Sequence, residues 1–287
     1  MTSFQKRFFF LARRFVAGET IESALAVVRT LNAQGMTATL DFLGEDVLER
    51  EAAIKTRDTY LSMLDAIRAA GVRSNVSVKL TAMGLLIDED FALDNLLQIL
   101  DRAGANPDPF VRIDMEGSAV TGRTLHAFER AFALKPNVGI VLQAYLKRTP
   151  GDVERANALG ARVRLCKGAY KEPREIAYKT MTEIRSQYLR LSEELLAHGT
   201  YPGIATHDRR LISGVKELAR SRGITPDRFE FQMLYGCRPA LQRSIVSEGY
   251  RLRIYVPFGT HWSGYFYRRV AERRENMLFA LSSIFSR

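Results

Sequence analysis

The chain has 287 residues, 46% of them hydrophobic and 26% charged, which fits one large α/β barrel or two ordinary domains and excludes a disordered or low-complexity chain. A formal net charge of +10 favours acidic partners without choosing among phosphates, carboxylates, nucleic acid and an anionic membrane surface. With only two cysteines, Cys166 and Cys237, a disulfide framework is excluded and a reducing compartment is indicated.

Phe4, Phe8, Leu11 and Phe15 fall at helical spacing among Lys6, Arg7, Arg13 and Arg14. This predicts a basic amphipathic helix that docks on the protein's own body or lies on a membrane surface. Arg13 and Arg14 cut its apolar run too short for a signal peptide, and no stretch reaches the roughly 20 apolar residues of a membrane span, so a cytoplasmic location is expected. Gly18 ends this helix, and Thr20 caps a second one carrying Ile21, Leu25, Val28 and Leu31 inward as far as Gly35. Residues 1–36 thus read as an N-terminal helical arm and 37–287 as the main body. In that body, short β-prone runs recur at 37–43, 75–80, 110–115, 138–143, 162–166, 203–206, 229–233 and 252–256. Helical patterns separate most of them, for example 49–69 ending at Gly71 and 174–198 ending at Gly199. Eight βα units predict a (βα)8 barrel. The alternative, a doubly wound sheet, lacks a G-x-G-x-x-G after its first strand.

In a barrel the C-terminal strand ends converge on one face. Here those ends carry Glu45, Lys79 with Thr81, Asp114 with Glu116, Gln143 with Tyr145, Arg164 with Lys167, Thr206 with His207 and Asp208, Gln232 with Tyr235, and Tyr255. Any one of them alone reads as an ordinary rim residue. The four histidines show no paired ligand spacing, so no metal site is indicated, and neither a G-x-S-x-G elbow nor a P-loop is present. What remains is a cation-rich, aromatic site with one or two carboxylates, suited to an anionic substrate beside a large planar cofactor. Arg164, Lys167 and Gly168 read as an anion or cofactor seat. Beyond the last strand, Trp262, Tyr265, Phe266 and Arg269 lie on adjacent helical turns. Arg268 and Arg269 there can grip a carboxylate, or can belong to a basic surface helix with Glu272 as counter-ion.

Ten ordered stretches closely resemble the proline dehydrogenase family, in particular its monofunctional bacterial members. They are RFVAGET at 14–20, DFLGE at 41–45, NVSVKLTAMG at 75–84, RIDMEGS at 112–118, VLQAYLKRT at 141–149, RLCKGAYKEP at 164–173, ATHD at 205–208, FEFQMLYG at 229–236, YRLRIYVPFG at 250–259 and YFYRRVAER at 265–273. The resemblance implies a distorted TIM-like barrel that binds FAD noncovalently at its strand C-termini, with the last helix over the mouth. It implies oxidation of L-proline to Δ1-pyrroline-5-carboxylate by hydride transfer from C5 to flavin N5, the first step of proline catabolism to glutamate. Electrons would pass to a membrane quinone, with peripheral membrane contact an option. Carried over by position, Asp114 and Arg164 are the catalytic pair, and Lys79, Arg268, Arg269 and Tyr255 hold substrate. Met115, Gln143, Arg164, Lys167, Gly168, Ala169, Thr206 and His207 contact FAD, and Glu45 pairs with Arg269 as a gate. Cys166 stands where an aliphatic residue is usual.

Three other readings remain at this level. A related dehydrogenase could prefer hydroxyproline; Lys79 and Lys167 could serve a Schiff-base lyase; and the net charge could serve a nucleic-acid or membrane-surface binder. The scattered cations and the lack of a nucleic-acid motif weigh against nucleic acid as a partner.

Overall fold

The computed structural model describes residues 14–262. The basic N-terminal helix expected from the sequence lies outside these residues except for Arg14 and Phe15, which form part of a turn, and the expected arginine-bearing helix lies outside them beyond Trp262. Within them, eight parallel strands close into one barrel: β1 (Thr37–Phe42), β2 (Ser74–Val78), β3 (Val111–Ile113), β4 (Val138–Gln143), β5 (Val163–Cys166), β6 (Gly203–Ala205), β7 (Glu230–Leu234) and β8 (Leu252–Phe258). Each pairs with the next, and β8 returns to β1 in a register that sets Thr37 beside Arg253 and Phe42 beside Phe258. All eight strands expected from the sequence form, with ends shifted by a residue or two.

Helix α1 (Ile21–Ala33) precedes β1, and seven helices fill the connections: α2 (Arg50–Ala70), α3 (Glu89–Ala103), α4 (Ser118–Leu134), α5 (Thr149–Ala158), α6 (Met181–His198), α7 (Arg209–Ser221) and α8 (Pro239–Ser247). Almost every second strand residue is apolar and faces this helical layer: Ala38 and Leu40, Val76 and Val78, Val111 and Ile113, Phe231 and Met233 are all buried. From the helices, stripes such as Tyr60, Met63, Leu64 and Ile67 on α2, and Tyr188, Leu191 and Leu195 on α6, complete the same core. Each such side chain contributes about 1.5–3 kcal/mol on leaving water. Thr20 caps α1, as expected from the sequence, with Ser23 reciprocating in a capping box, and Leu25, Val28 and Leu31 are buried.

One helix differs from expectation. The pattern suggested a start near 174, but α6 begins at Met181, behind a capping box formed by Thr180 and Glu183. The preceding residues instead lie against the β4–α5 connection, where Lys147 N–H donates to the Ile176 carbonyl at 2.9 Å and Tyr178 N–H to the Tyr145 carbonyl at 2.8 Å. Those bonds occupy backbone groups that a helix would need. Cys166 and Cys237 are not joined in a disulfide. Among the described residues no helix is long and apolar enough to cross a membrane.

Candidate active site

The inner face of the barrel is polar over most of its height. The residues alternating with the apolar ones are Thr39 and Asp41 on β1, Asn75 and Ser77 on β2, Arg112 on β3, Arg164 on β5, Glu230 and Gln232 on β7, and Arg253 on β8, and all are buried. A buried charge is tolerated only when it is paired and hydrogen-bonded. Near the N-terminal end, Arg253 meets Glu230 at 2.7 Å and Asp108 at 2.8 Å, while Arg112 donates to the carbonyls of Arg162 and Ile140. Space for these large groups comes from absent side chains. A Cβ on Gly139 would stand 2.7 Å from the Arg112 guanidinium, and one on Gly203 would stand 2.5 Å from the Gln232 amide.

Toward the C-terminal mouth the network converges on Asp114, immediately beyond β3. One carboxylate oxygen accepts from Arg164 at 2.8 Å and from the Ser77 hydroxyl at 2.6 Å, and the other accepts from the Tyr255 hydroxyl at 2.7 Å. Lys79 stands 3.8 Å from that second oxygen and 3.1 Å from both oxygens of Asp41. The Arg164 guanidinium also lies 5.3 Å from the centre of the Tyr255 ring, within cation–π range. Four charges, two of each sign, thus share one buried cluster.

The two carboxylates beside Lys79 are pushed in opposite directions. Burial raises Asp41 above the usual carboxylate value and outweighs Lys79. At Asp114 burial acts the same way, but Arg164, Lys79 and the two hydroxyls overcome it and hold the carboxyl below its usual value. Burial would depress the Lys79 ammonium, yet Asp41 and Asp114 reverse this and raise it. A lysine held this firmly as a cation is a poor amine nucleophile, which weighs against Lys79 in a Schiff-base role.

The rim residues occupy the strand ends around this cluster. Met115 is buried next to Asp114. The Gln143 amide donates to the Glu116 carbonyl at 3.0 Å. Lys167 sits 3.6 Å from Asp208, which also accepts from Arg185 at 2.8 Å. Gly168 has φ +112, and its Cα is covered by the Tyr145 ring so closely that a Cβ would overlap it; Ala169 follows, partly exposed. Thr206 is buried and accepts from Asp208 N–H at 3.1 Å. His207 Nε2 accepts from the Leu234 N–H at 2.9 Å, so the ring proton resides on Nδ1. Glu45 lies on the partly exposed loop after β1, while Arg268 and Arg269 lie outside the described residues. Asp41, Ser77 and Glu230 went unnoticed in the sequence, although polar residues at every second strand position were a usable signal.

The sequence profile of a family described as "Proline dehydrogenase" matches residues 24–280 of this chain. The chain belongs to the proline dehydrogenase family. It is 42% identical over 275 residues to proline dehydrogenase 1 of Bacillus subtilis (strain 168), an alignment spanning 95% of this chain and 90% of that one. It is 39% identical over 279 residues to the proline dehydrogenase of Deinococcus radiodurans, spanning 96% and 90%. Its barrel is also similar to a crystal structure of proline utilization A (PutA) from Bdellovibrio bacteriovorus inactivated by N-propargylglycine. That match has a TM-score of 0.87 at 26% identity and covers 96% of this chain but 34% of the other. This chain therefore corresponds to about a third of that longer protein, and to nearly all of its Bacillus and Deinococcus relatives.

Proposed function

We propose that this proline dehydrogenase is FAD-dependent and oxidises L-proline to Δ1-pyrroline-5-carboxylate, the first step of proline catabolism to glutamate, with electrons passed on to a quinone. The observation that carries this reading is the buried ion pair of Asp114 and Arg164, 2.8 Å apart at the strand ends, with Lys79 and Tyr255 on the other oxygen of the same carboxylate. The donor set around it suits a flavin dinucleotide. Arg164 is a fixed cation at the centre of the mouth, Lys167 and Arg185 add positive charge between β5 and α6, and His207 carries a proton on Nδ1 beside the end of β7. Met115, Gln143, Arg164, Lys167, Gly168, Ala169, Thr206 and His207 are the residues assigned to hold FAD.

When bound, FAD would supply the two-electron acceptor for the hydride leaving proline C5, at flavin N5. The protein's part is positioning and electrostatics. Lys79 and Tyr255, with Arg268 and Arg269, are assigned to the substrate carboxylate; clamping it fixes C5, and such orientation is a large share of the catalysis available to a site of this kind. Arg164, a buried positive charge, would stabilise the negative charge that the cofactor gains, favouring the transition state over the ground state. Asp114, ionised at neutral pH, holds that guanidinium. Glu45 and Arg269 are assigned as a closing pair at the rim.

The test is an anaerobic visible spectrum of the purified protein reconstituted with FAD, before and after L-proline. Loss of the oxidised-flavin band at about 450 nm is expected. A bound flavin that trans-4-hydroxy-L-proline reduces and L-proline does not would overturn the substrate assignment. Failure to bind FAD would overturn the cofactor.

A further inference from the structure

We propose that Glu230, deep in the barrel and remote from the mouth, is a positioning residue that aims Arg164 by dictating which way round the Gln232 amide sits. This rests on the FAD-dependent reading above. The Gln232 side chain bridges two groups of opposite character. Its Oε1 accepts from Arg164 Nε, and its Nε2 donates to Glu230 Oε1 at 2.6 Å. A guanidinium can only donate and a carboxylate can only accept, so one orientation satisfies both contacts, and the flipped amide would face two like dipoles.

Glu230 meets the requirements of such an anchor. It is buried, and although burial alone would raise its pKa, the Arg253 ion pair at 2.7 Å and the Gln232 amide hold it ionised. Arg253 is fixed in turn by Asp108 at 2.8 Å and by the Ala38 carbonyl at 2.8 Å. The Gln232 amide has no room to drift, since it fills the space left by Gly203 on the neighbouring strand. On the far side, Arg164 turns its NH1 to Asp114. Arg164 is thus held at Nε from below and at NH1 from the mouth, and two contacts on one planar group define its plane. With Asp114 alone, the guanidinium could pivot about that bond. The series Asp108, Arg253, Glu230, Gln232, Arg164, Asp114 therefore runs unbroken from one end of the barrel to the other.

The proposal separates orientation from simple stability. The double variant Glu230→Leu, Arg253→Met removes the acceptor while exchanging an ion pair for apolar side chains, an exchange often tolerated by buried pairs. In Gln232→Leu the floor charges remain and the bridge is lost. Both variants are expected to take up FAD, with a more negative flavin midpoint potential, kcat for L-proline down by about 100-fold and KM changed little, as for a misplaced catalytic group. In the flavin-free protein, the Arg164 Nε–H signal in ¹⁵N NMR should be sharp and slowly exchanging in the wild type and lost in both variants. The control is Asp108→Asn, which removes the outer partner of Arg253 and leaves the Glu230 contacts with Arg253 and Gln232 in place. It should lower thermal stability without moving the potential or the Arg164 signal.

If either folded variant kept the wild-type potential, kcat and Arg164 signal, the positioning role would be overturned while the functional reading stood. If Asp108→Asn shifted all three as far as the double variant, Glu230 would be a structural partner only, which also overturns the proposal. A wild-type protein that took up no FAD would instead defeat the functional reading, with the Arg164 signal still deciding whether Glu230 orients the guanidinium.

Discussion

Asp41 holds the Lys79 ammonium with both carboxylate oxygens, each 3.1 Å from Nζ. Asp41 is wholly buried and its partner nearly so, and the Tyr60 hydroxyl, reaching in from α2, lies 3.4 Å from the same carboxylate while donating to the Ser77 carbonyl. Breaking one side of a buried pair leaves an uncompensated charge. Asp41→Asn is therefore expected to destabilise the fold by about 3 kcal/mol, measured by urea unfolding, even though Asp41 is not among the residues assigned to touch substrate. A change within about 0.5 kcal/mol, the range of an ordinary surface substitution, would contradict this.

The depressed carboxyl of Asp114 gives a pH signature. Its pKa in the folded protein lies below the usual 3.8, so the unfolded chain takes up that proton more readily than the native one. The stability it contributes is intact above about pH 3.8 and drains away as pH falls through the lowered value. Asp114→Asn cannot lose what it lacks. The variant should be the less stable protein at neutral pH, with the gap narrowing in acid, as read from urea midpoints at several pH values. A gap that stays constant into acid would show that Asp114 is not held down in the native state.

The barrel was legible because its outward strand positions, such as Val76, Val78, Val111 and Ile113, are unbroken β-branched residues facing helices. Val138–Gln143 forms at the residues expected. The lumen was less legible. Residues such as Thr39 and Asp41, or Glu230 and Gln232, alternate with apolar neighbours just as the solvent face of an open sheet does. Only closure of β8 onto β1 buries them, and pairings such as Tyr255 with Asp114 join residues 141 positions apart. At α6, the Thr180 and Glu183 capping pair was available in the sequence, but the helical look of the preceding residues concealed the backbone bonds that tie them to Tyr145 and Lys147.

That irregular segment has its own anchor. Glu172 accepts from both the backbone N–H of Ser118, at 2.7 Å, and the Ser118 hydroxyl, so the β5–α6 connection is fastened to the first residue of α4, whose cap residue Gly117 has no side chain to offer. Glu172→Ala removes both contacts and leaves the orphan donors of that helix end unsatisfied. The expected result is a loss of about 1–2 kcal/mol, faster proteolytic cleavage within 168–180, and faster amide exchange at Ser118. Wild-type protection at Ser118 would mean that some other group caps α4.

Two glycines separate space from flexibility. Gly139 sits on β4 where a Cβ would stand 2.4 Å from the Arg162 carbonyl, 2.6 Å from the Phe110 ring and 2.7 Å from Arg112. The first contact is backbone and cannot swing aside. Gly139→Ala should therefore cost at least about 1–3 kcal/mol, the range for overpacking a filled interior. Gly122 lies within α4 with nothing inside 4 Å of its would-be Cβ. There the added methyl only restricts the unfolded chain and favours the helix, so Gly122→Ala should stabilise by about 0.5–1 kcal/mol. Thermal and urea unfolding of the two variants side by side checks both signs. A tolerated alanine at 139 would mean that the Arg112 guanidinium and the Arg162 carbonyl can part, and that the lumen is packed more loosely than these distances require.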